Sequence, residues 1–387
     1  MKSAQIKGIG IVSPAGSDEK SFAESIRRGY CPIKPLSDAR VPEGQRAVGA
    51  KVENDEVPQG RAFRMLERAV RQALEDAGIR CPTDCALFLG TSLGDMDTTL
   101  ENHRMLVEHG QSKNLAQDIR PDELCKRLAE SLQINGPQVT LSCACTSGTS
   151  ALGMALDWIR LGRSKRCIVS AVDSLNDFVL CGFSSLWALT ADTARPFDIA
   201  RTGMALGETA AAIVVEEGAE TSLERPARAT LSGYGASGDA VHITAPDRKG
   251  RGAEKAIVSA LKDAQWSIEE VDYMNVHATG SLYNDSMILR AMRSVFKENA
   301  EAIPLSSVNP CTGHTLGAAG LAEVLATLLS MESAFVPPTP NLSAPEDDTL
   351  HIVKDMALEK RINRAISLTT GFGGANTAIA LALPQRS

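Results

Sequence analysis

No apolar stretch of the 387-residue chain is long enough to cross a bilayer, and the opening Met1-Lys2-Ser3-Ala4-Gln5-Ile6-Lys7 has none of the apolar core of a secretory leader. A cytoplasmic location is expected. Surplus positive charge is also missing: 40 Lys and Arg stand against 47 Asp and Glu, a formal net charge of -7. Neutralising a phosphate backbone takes clustered Lys and Arg, so a general nucleic-acid binder is excluded, while a local basic patch stays open. Long polar tracts and low-complexity arms are absent, and 43% hydrophobic with 22% charged residues is the composition of an ordinary globular chain.

Cysteine is present, but not in a pattern that closes a framework. The count of nine is odd, and in a chain this long it defines no disulfide set. Cys81/Cys85 and Cys143/Cys145 miss the spacing of paired two-residue knuckles, and no His pair completes a tetrahedron, so no metal site is expected. No Pro/Ser-rich linker divides the chain. The charged, turn-like segment Glu216–Pro226 is its best boundary, giving an N-terminal lobe over 1–220 and a C-terminal lobe over 221–387.

Short apolar runs alternate with stretches of helical period, which signals a layered α/β fold. Strands are expected at Ile6–Val12, Ala86–Gly90, Gln138–Ser142, Cys167–Val172, Ala211–Glu216, Ala229–Gly233, Tyr273–Val276, Ala365–Leu368 and Thr377–Leu383. Helices are expected at Ser21–Arg28, Arg61–Ala77, Thr146–Leu161, Ala253–Asp263, Asp285–Phe296 and Leu316–Met331. A faint repeat joins the halves: a strand, Ser142-Cys143-Ala144-Cys145-Thr146-Ser147-Gly148 and a helix are echoed by a strand, Asn309-Pro310-Cys311-Thr312-Gly313-His314 and a helix. That echo places Cys145 and His314 at corresponding strand-to-helix turns.

Cys145 would open a Gly/Ala/Ser-rich helix, where unpaired N–H groups and the macrodipole favour a thiolate. Taken alone, it reads more readily as a small buried residue, the commoner role of a free cysteine. His277 closes the run Val271–Val276 at a strand's C-terminal end, where open α/β sheets place their sites, and His314 precedes a helix start built of small residues. Each alone suits a hydrogen-bonded core histidine. Together they suit nucleophilic catalysis, which needs a thiol with imidazoles in reach.

Four blocks carry a resemblance. Ala144-Cys145-Thr146-Ser147-Gly148, Val276-His277-Ala278-Thr279-Gly280, Thr312-Gly313-His314-Thr315-Leu316-Gly317-Ala318-Ala319-Gly320 and Gly371-Phe372-Gly373-Gly374-Ala375-Asn376 resemble, in order, the signature blocks of β-ketoacyl-acyl-carrier-protein synthases I and II. The likeness extends to Gly8–Gly16, to Arg195-Pro196-Phe197-Asp198 and to Gly207-Glu208, and so spans nearly the whole chain. It implies a thiolase fold, two similar lobes in a five-layered αβαβα body, and a decarboxylating condensing enzyme of fatty-acid, polyketide or aryl polyene synthesis. Thiolases proper are a poorer match, because Gly371–Asn376 holds no second cysteine.

Carried over residue by residue, the resemblance makes Cys145 the acyl-accepting nucleophile. It makes His277 and His314 hydrogen-bond donors to the malonyl thioester, and the N–H groups of Cys145 and Phe372 an oxyanion hole. Phe372 would also gate the acyl pocket, and Thr279 and Ser281 would hold the phosphopantetheine arm of an acyl carrier protein. No tightly bound cofactor is implied. Implied partners are that carrier protein and a second subunit, either a copy of this chain or a related ketosynthase-like chain. By the family's use of basic surfaces, Arg64 and Arg68, on one helical face with Arg61 and Arg71, are candidate carrier contacts. The chain departs from the family where Asn309 and Ile288 replace a usual lysine and glutamate, while Asp285 and Glu323 match other family carboxylates. Thr370 also stands where an aromatic residue is usual, and the Leu189–Arg195 connection is short. The alternative is a non-catalytic chain-length-factor-like partner, which usually loses the nucleophile that Cys145 retains.

Overall fold

All nine expected strands form, and a tenth joins them. The computed structural model describes residues 2–37, 39, 41, 47–53, 60–110, 120–218 and 225–384. In chain order the strands of this main sheet are β1 (Ala4–Val12), β2 (Ala86–Gly90), β3 (Gln138–Leu141), β4 (Arg166–Asp173), β5 (Thr209–Glu217), β6 (Ala229–Gly238), β7 (Tyr273–Val276), β8 (Leu305–Ser306), β9 (Arg364–Gly371) and β10 (Ala375–Ala382). β8 has only two residues, too few for any alternation to show. The sheet runs β8-β7-β9-β10-β6-β1-β5-β4-β2-β3.

Outward from the central join, one half reads β1-β5-β4-β2-β3 and the other β6-β10-β9-β7-β8, the same order with every label raised by five. Pairing directions agree too: β5 is antiparallel to β1 and β4, and β10 is antiparallel to β6 and β9. β2 is parallel to β3 and β4, as β7 is to β8 and β9. Among the described residues, the two half-sheets are paired through Gln5↔Thr230 and Ile6↔Ala229. The expected lobe boundary, at 220/221, falls outside the described residues.

The longer helices are α1 (Glu19–Arg28), α2 (Arg61–Asp76), α3 (Met96–His109), α4 (Pro121–Leu132), α5 (Ser147–Arg160), α6 (Asp177–Ser185), α7 (Arg251–Ala264), α8 (Leu282–Phe296) and α9 (Ala319–Glu332). Three apolar cores separate five layers. Between the half-sheets, Leu152 and Leu156 of α5 and Leu321, Leu325 and Leu328 of α9 pack on Phe88, Val169 and Ile379. Outside the first half, Met65 and Val70 of α2 and Leu128 of α4 cover Leu87, Ile168 and Val214. Outside the second, Ile257 of α7 and Met287, Ile288 and Met292 of α8 cover Met274, Ile366 and Leu368. This is the expected αβαβα arrangement of a thiolase fold.

Outer helices reach the sheet over glycines. A Cβ at Gly10 of β1 would sit 2.0 Å from the Ala69 carbonyl of α2, and one at Gly235 of β6 would sit 2.0 Å from the Ala256 carbonyl of α7. Each lobe therefore seats its outer helix on a Gly-x-Gly pair, Gly8/Gly10 or Gly233/Gly235. α9, by contrast, is buried on every side from Ala319 to Met331 and is apolar apart from Glu323, Thr327 and Ser330.

One expectation for α2 fails. Arg61 does not share a solvent face with Arg64, Arg68 and Arg71; it is 8% exposed. Its Nε donates to Glu208 Oε2 at 3.0 Å and its Nη2 to Glu208 Oε1 and to the Val52 carbonyl. Glu208 also accepts from the N–H groups of Val52 and Leu175, at 2.7 and 3.1 Å. A cation beside the fully buried Glu208 carboxylate offsets the cost of burying its charge, and the first turn of α2 supplies it.

Candidate active site

The chain leaves β3 and turns through Ala144, whose φ of 50° is left-handed, before entering α5. That conformation costs a non-glycine residue roughly 1–2 kcal/mol, and local bonds offset it. Ser147 Oγ accepts from the Cys143 N–H at 2.8 Å and donates to the Ala144 carbonyl at 2.6 Å, while Thr146 Oγ1 donates to the Cys143 carbonyl at 2.8 Å. Cys145 is thereby set at the head of α5, 7% exposed.

His314 arrives from the other lobe. Its N–H donates to the Ala205 carbonyl at 2.7 Å, and its carbonyl accepts from the Gly207 N–H at 3.0 Å. Three residues on, the Gly317 N–H donates to Asp173 Oδ2 at 2.6 Å, tying the segment to the end of β4. The heads of α5 and α9 converge because small residues line the crossing: a Cβ at Gly148 would meet Leu321 Cβ at 2.9 Å, and one at Gly320 would meet Thr149 at 2.7 Å. The outcome is 3.1 Å between Cys145 Sγ and His314 Nε2.

His277 follows β7, its N–H on the Leu368 carbonyl and its own carbonyl accepting from Asn284 Nδ2 at 2.7 Å. Its ring centroid lies 4.9 Å from that of His314. Glu323 Oε1 lies 2.5 Å from His277 Nδ1, which therefore donates and leaves Nε2 for the site. Among the described residues, His314 Nδ1 has no hydrogen-bond partner. The donor atoms of Cys145, His277 and His314 lie within 4.8 Å of one another, a spacing that one small electrophile or one soft cation could occupy.

The electrostatics single out Cys145. Burial alone would push its thiol up, but the His314 and His277 imidazoles outweigh burial and hold it down at about 5. Burial likewise disfavours a charged His277, yet Glu323 and Cys145 raise it to about 10. Cys85 and Cys125, buried without an imidazole beside them, are pushed up to about 11.

A pocket of about 310 Å³ opens over these residues, lined also by Thr279, Ser281 and Phe372. Thr279 Oγ1 donates to Ser281 Oγ at 3.1 Å, and their turn is held by Asp285, which accepts from the N–H groups of Thr279 and Gly280 at 3.1 Å and of Phe197 at 2.9 Å. Phe372 stacks on Phe183 with centroids 5.6 Å apart. Gly371 lies against Cys145, so that a Cβ there would be 3.2 Å from the Cys145 nitrogen. Arg64 and Arg68 are not part of this pocket; with Glu67, Arg71 and Glu75 they line a separate surface groove along α2.

Sequence reasoning missed Asn284, Asp173 and Phe183. Asn284 bridges His277 to Thr370, whose Oγ1 donates to Asn284 Oδ1 at 2.7 Å; Asp173 anchors the His314 segment. Neither polar residue belongs to a four-block signature, and only contact across elements shows what each does.

The β-ketoacyl synthase N-terminal domain model matches residues 1–221, and the C-terminal domain model matches residues 228–343. The chain belongs to the β-ketoacyl synthase family. It is similar to the tetracenomycin polyketide synthase ketoacyl synthase alpha subunit of Streptomyces glaucescens, at 28% identity over 100% of this chain and 98% of that one. A 3-oxoacyl-[acyl-carrier-protein] synthase 2 of Staphylococcus aureus is 29% identical over 98% of this chain and 97% of its own. Among solved structures, the ishigamide ketosynthase/chain length factor superposes with a TM-score of 0.91 at 28% identity, covering 99% of both chains. As a β-ketoacyl synthase, the protein is a condensing acyltransferase that joins acyl and malonyl thioesters with loss of carbon dioxide.

Within this β-ketoacyl synthase, the residues that replace the usual lysine and glutamate sit in different surroundings. Ile288 packs in the outer core under α8, whereas Asn309 Nδ2 donates to Glu323 Oε1 at 2.9 Å.

Proposed function

We propose that Cys145 carries the growing acyl chain and that His277 and His314 stabilise the malonyl-derived enolate. The Cys145 thiolate attacks the acyl thioester, the old C–S bond breaks, and the departing pantetheine thiolate takes a proton from solvent. The malonyl thioester then binds with its carbonyl oxygen toward Nε2 of both histidines. Its carboxylate leaves as carbon dioxide, and the C–C bonding pair moves into an enolate whose oxygen the imidazoles hold. The enolate carbon attacks the acyl-Cys145 carbonyl; the tetrahedral intermediate collapses, releasing a β-ketoacyl thioester and restoring the thiolate.

The N–H groups of Cys145 and Phe372 serve as the oxyanion hole for that intermediate, each such donor being worth about 3–4 kcal/mol. The closeness of Gly371 to the Cys145 nitrogen supports this assignment. The observation that carries the whole reading is the 3.1 Å approach of His314 Nε2 to a thiol held far below its ordinary range.

Substrates arrive on the phosphopantetheine of an acyl carrier protein, its arm passing Thr279 and Ser281, with Arg64 and Arg68 as outlying contacts. The enzyme works in the cytoplasm, with no tightly bound cofactor, as a homodimer or beside a related ketosynthase-like subunit. No helix among the described residues is long and apolar enough to cross a membrane. Its pathway is fatty-acid, polyketide or aryl polyene synthesis. Mass spectrometry of the intact protein after incubation with acyl carrier proteins bearing chains of graded length and unsaturation tests the reading. One acyl adduct on Cys145, lost in Cys145→Ala while the melting temperature holds, is expected. Acylation that survives Cys145→Ala removes the nucleophile assignment.

A further inference from the structure

The carboxylate behind His277 is shared. Glu323 Oε1 faces His277 Nδ1 at 2.5 Å and accepts from Asn309 Nδ2 at 2.9 Å, while Oε2 accepts from Thr369 Oγ1 at 3.0 Å. The main chain of Glu323 is held as well, its carbonyl accepting from Asn275 Nδ2 at 3.1 Å. His277, Asn309 and Glu323 are each 2–3% exposed, and Thr369 is fully buried. The gap beside Asn309, lined by Phe22, Val308, Thr312, Ala319, Ala322 and Glu323, has no room for a water molecule. The second donor on Oε1 is thus the Asn309 amide rather than solvent. An amide brings a hydrogen bond without a charge.

We propose that Asn309 is a positioning residue for His277, acting through Glu323: its neutral amide fixes the carboxylate against Nδ1 without competing for that carboxylate's charge. The geometry gives this a chemical meaning. With Nδ1–H committed to Glu323, Nε2 can donate to a substrate oxygen only when the ring carries both protons. The imidazolium must therefore persist at working pH, and an undiluted Glu323 charge is what sustains it. A cation in place of the amide would draw on the same carboxylate and release the second ring proton at lower pH. Among the described residues, the titratable groups that face His277 are Glu323 from α9, Cys145 from the head of α5 and His314 from the segment before α9, and the Asn309 amide is hydrogen-bonded to the first.

This inference rests on the role of His277 proposed above, and its test separates the two. The full-length Cys145→Gln protein removes the thiolate, and malonyl-pantetheine serves as probe, with carbon dioxide release followed from about pH 6 to about pH 10.5. Rate is expected to fall on the alkaline side as His277 loses its proton. Adding Asn309→Lys should move that limb down by about one pH unit or more with little change in KM, whereas Asn309→Gln, a neutral amide, should leave the limb in place. Asn309→Leu guards against a lysine variant that fails to fold. It deletes the donor while keeping the branched shape of the side chain and should lower kcat on the order of tenfold with the limb unmoved or raised. Folded Lys and Gln variants sharing the parental limb would overturn the inference, as would an Asn309→Leu variant with the parental kcat and limb. If His277→Ala decarboxylates as fast as the parent, the reading of His277 itself fails; if it is inactive while the Asn309 variants leave the limb unmoved, only the role of Asn309 falls.

Discussion

Cys145 differs from the other buried cysteines by its neighbours. A thiol held at about 5 is deprotonated above that pH, so alkylation of Cys145 by iodoacetamide, read by site-resolved peptide mass spectrometry, should climb between about pH 4 and about pH 6 and then stay flat. In His314→Ala the largest source of attraction for the thiolate is gone, and the climb should move to higher pH. An unchanged profile in that variant would mean that His277 and the helix head, not His314, hold the thiol down. The signature blocks made Cys145, His277 and His314 legible because each stands at an element end inside a motif. Asn284 and Asp173 were not legible, since one reaches across to Thr370 and the other to Gly317, and neither distance leaves a mark in local sequence.

Elements were read as well as their burial allowed. β1 through β7, β9 and β10 show apolar runs bounded by turns, and the amphipathic α2 and α7 show the helical period. α3 buries only Asp97 and so offers no apolar stripe; α4 announces itself by Pro121 with Asp122 and Glu123 in its first turn, a start signal that was available. α6 begins under Asn176, whose side chain accepts from the Val179 N–H. The Gly-x-Gly seats carry a prediction of their own. Gly235→Val puts a branched side chain where even a Cβ meets the Ala256 carbonyl at 2.0 Å, so α7 must lift off the sheet, and thermal melting should show a severe loss or no folded protein. A variant that melts like the parent would mean that α7 yields without cost. For α9, Leu325→Ala should cost about 2–5 kcal/mol in denaturant unfolding, because no mobile surface lies near enough to fill the cavity.

For the whole molecule, the faint sequence echo between Cys145 and His314 turns out to be one point of a complete duplication. Its strand order was not legible, because nothing in single-strand patterning says that the first strand joins the middle of the sheet. Carrier recognition belongs at this scale too. Removal of Arg61 from the surface set leaves Arg64 and Arg68, beside Arg71, on the exposed part of α2. Arg64→Glu with Arg68→Glu should weaken acyl-carrier-protein binding at low salt and matter little at high salt. Equal affinity at low salt would move the contact away from α2.

The place of β1 bears on how the protein is made. Ala4 pairs with Glu217 and Gln5 with Thr230, so β1 leaves the ribosome roughly 200 positions ahead of its partners, a wait of roughly 10–40 s at ordinary rates of synthesis. Through that interval its apolar residues Ile6, Ile9, Ile11 and Val12 stand beside open backbone donors and acceptors, a template for pairing with another nascent chain. Yield in cells is then governed by whatever shields this strand until β5 emerges, and slowing translation between β4 and β5 should send more of the product into inclusion bodies without altering the stability of the molecules that do fold.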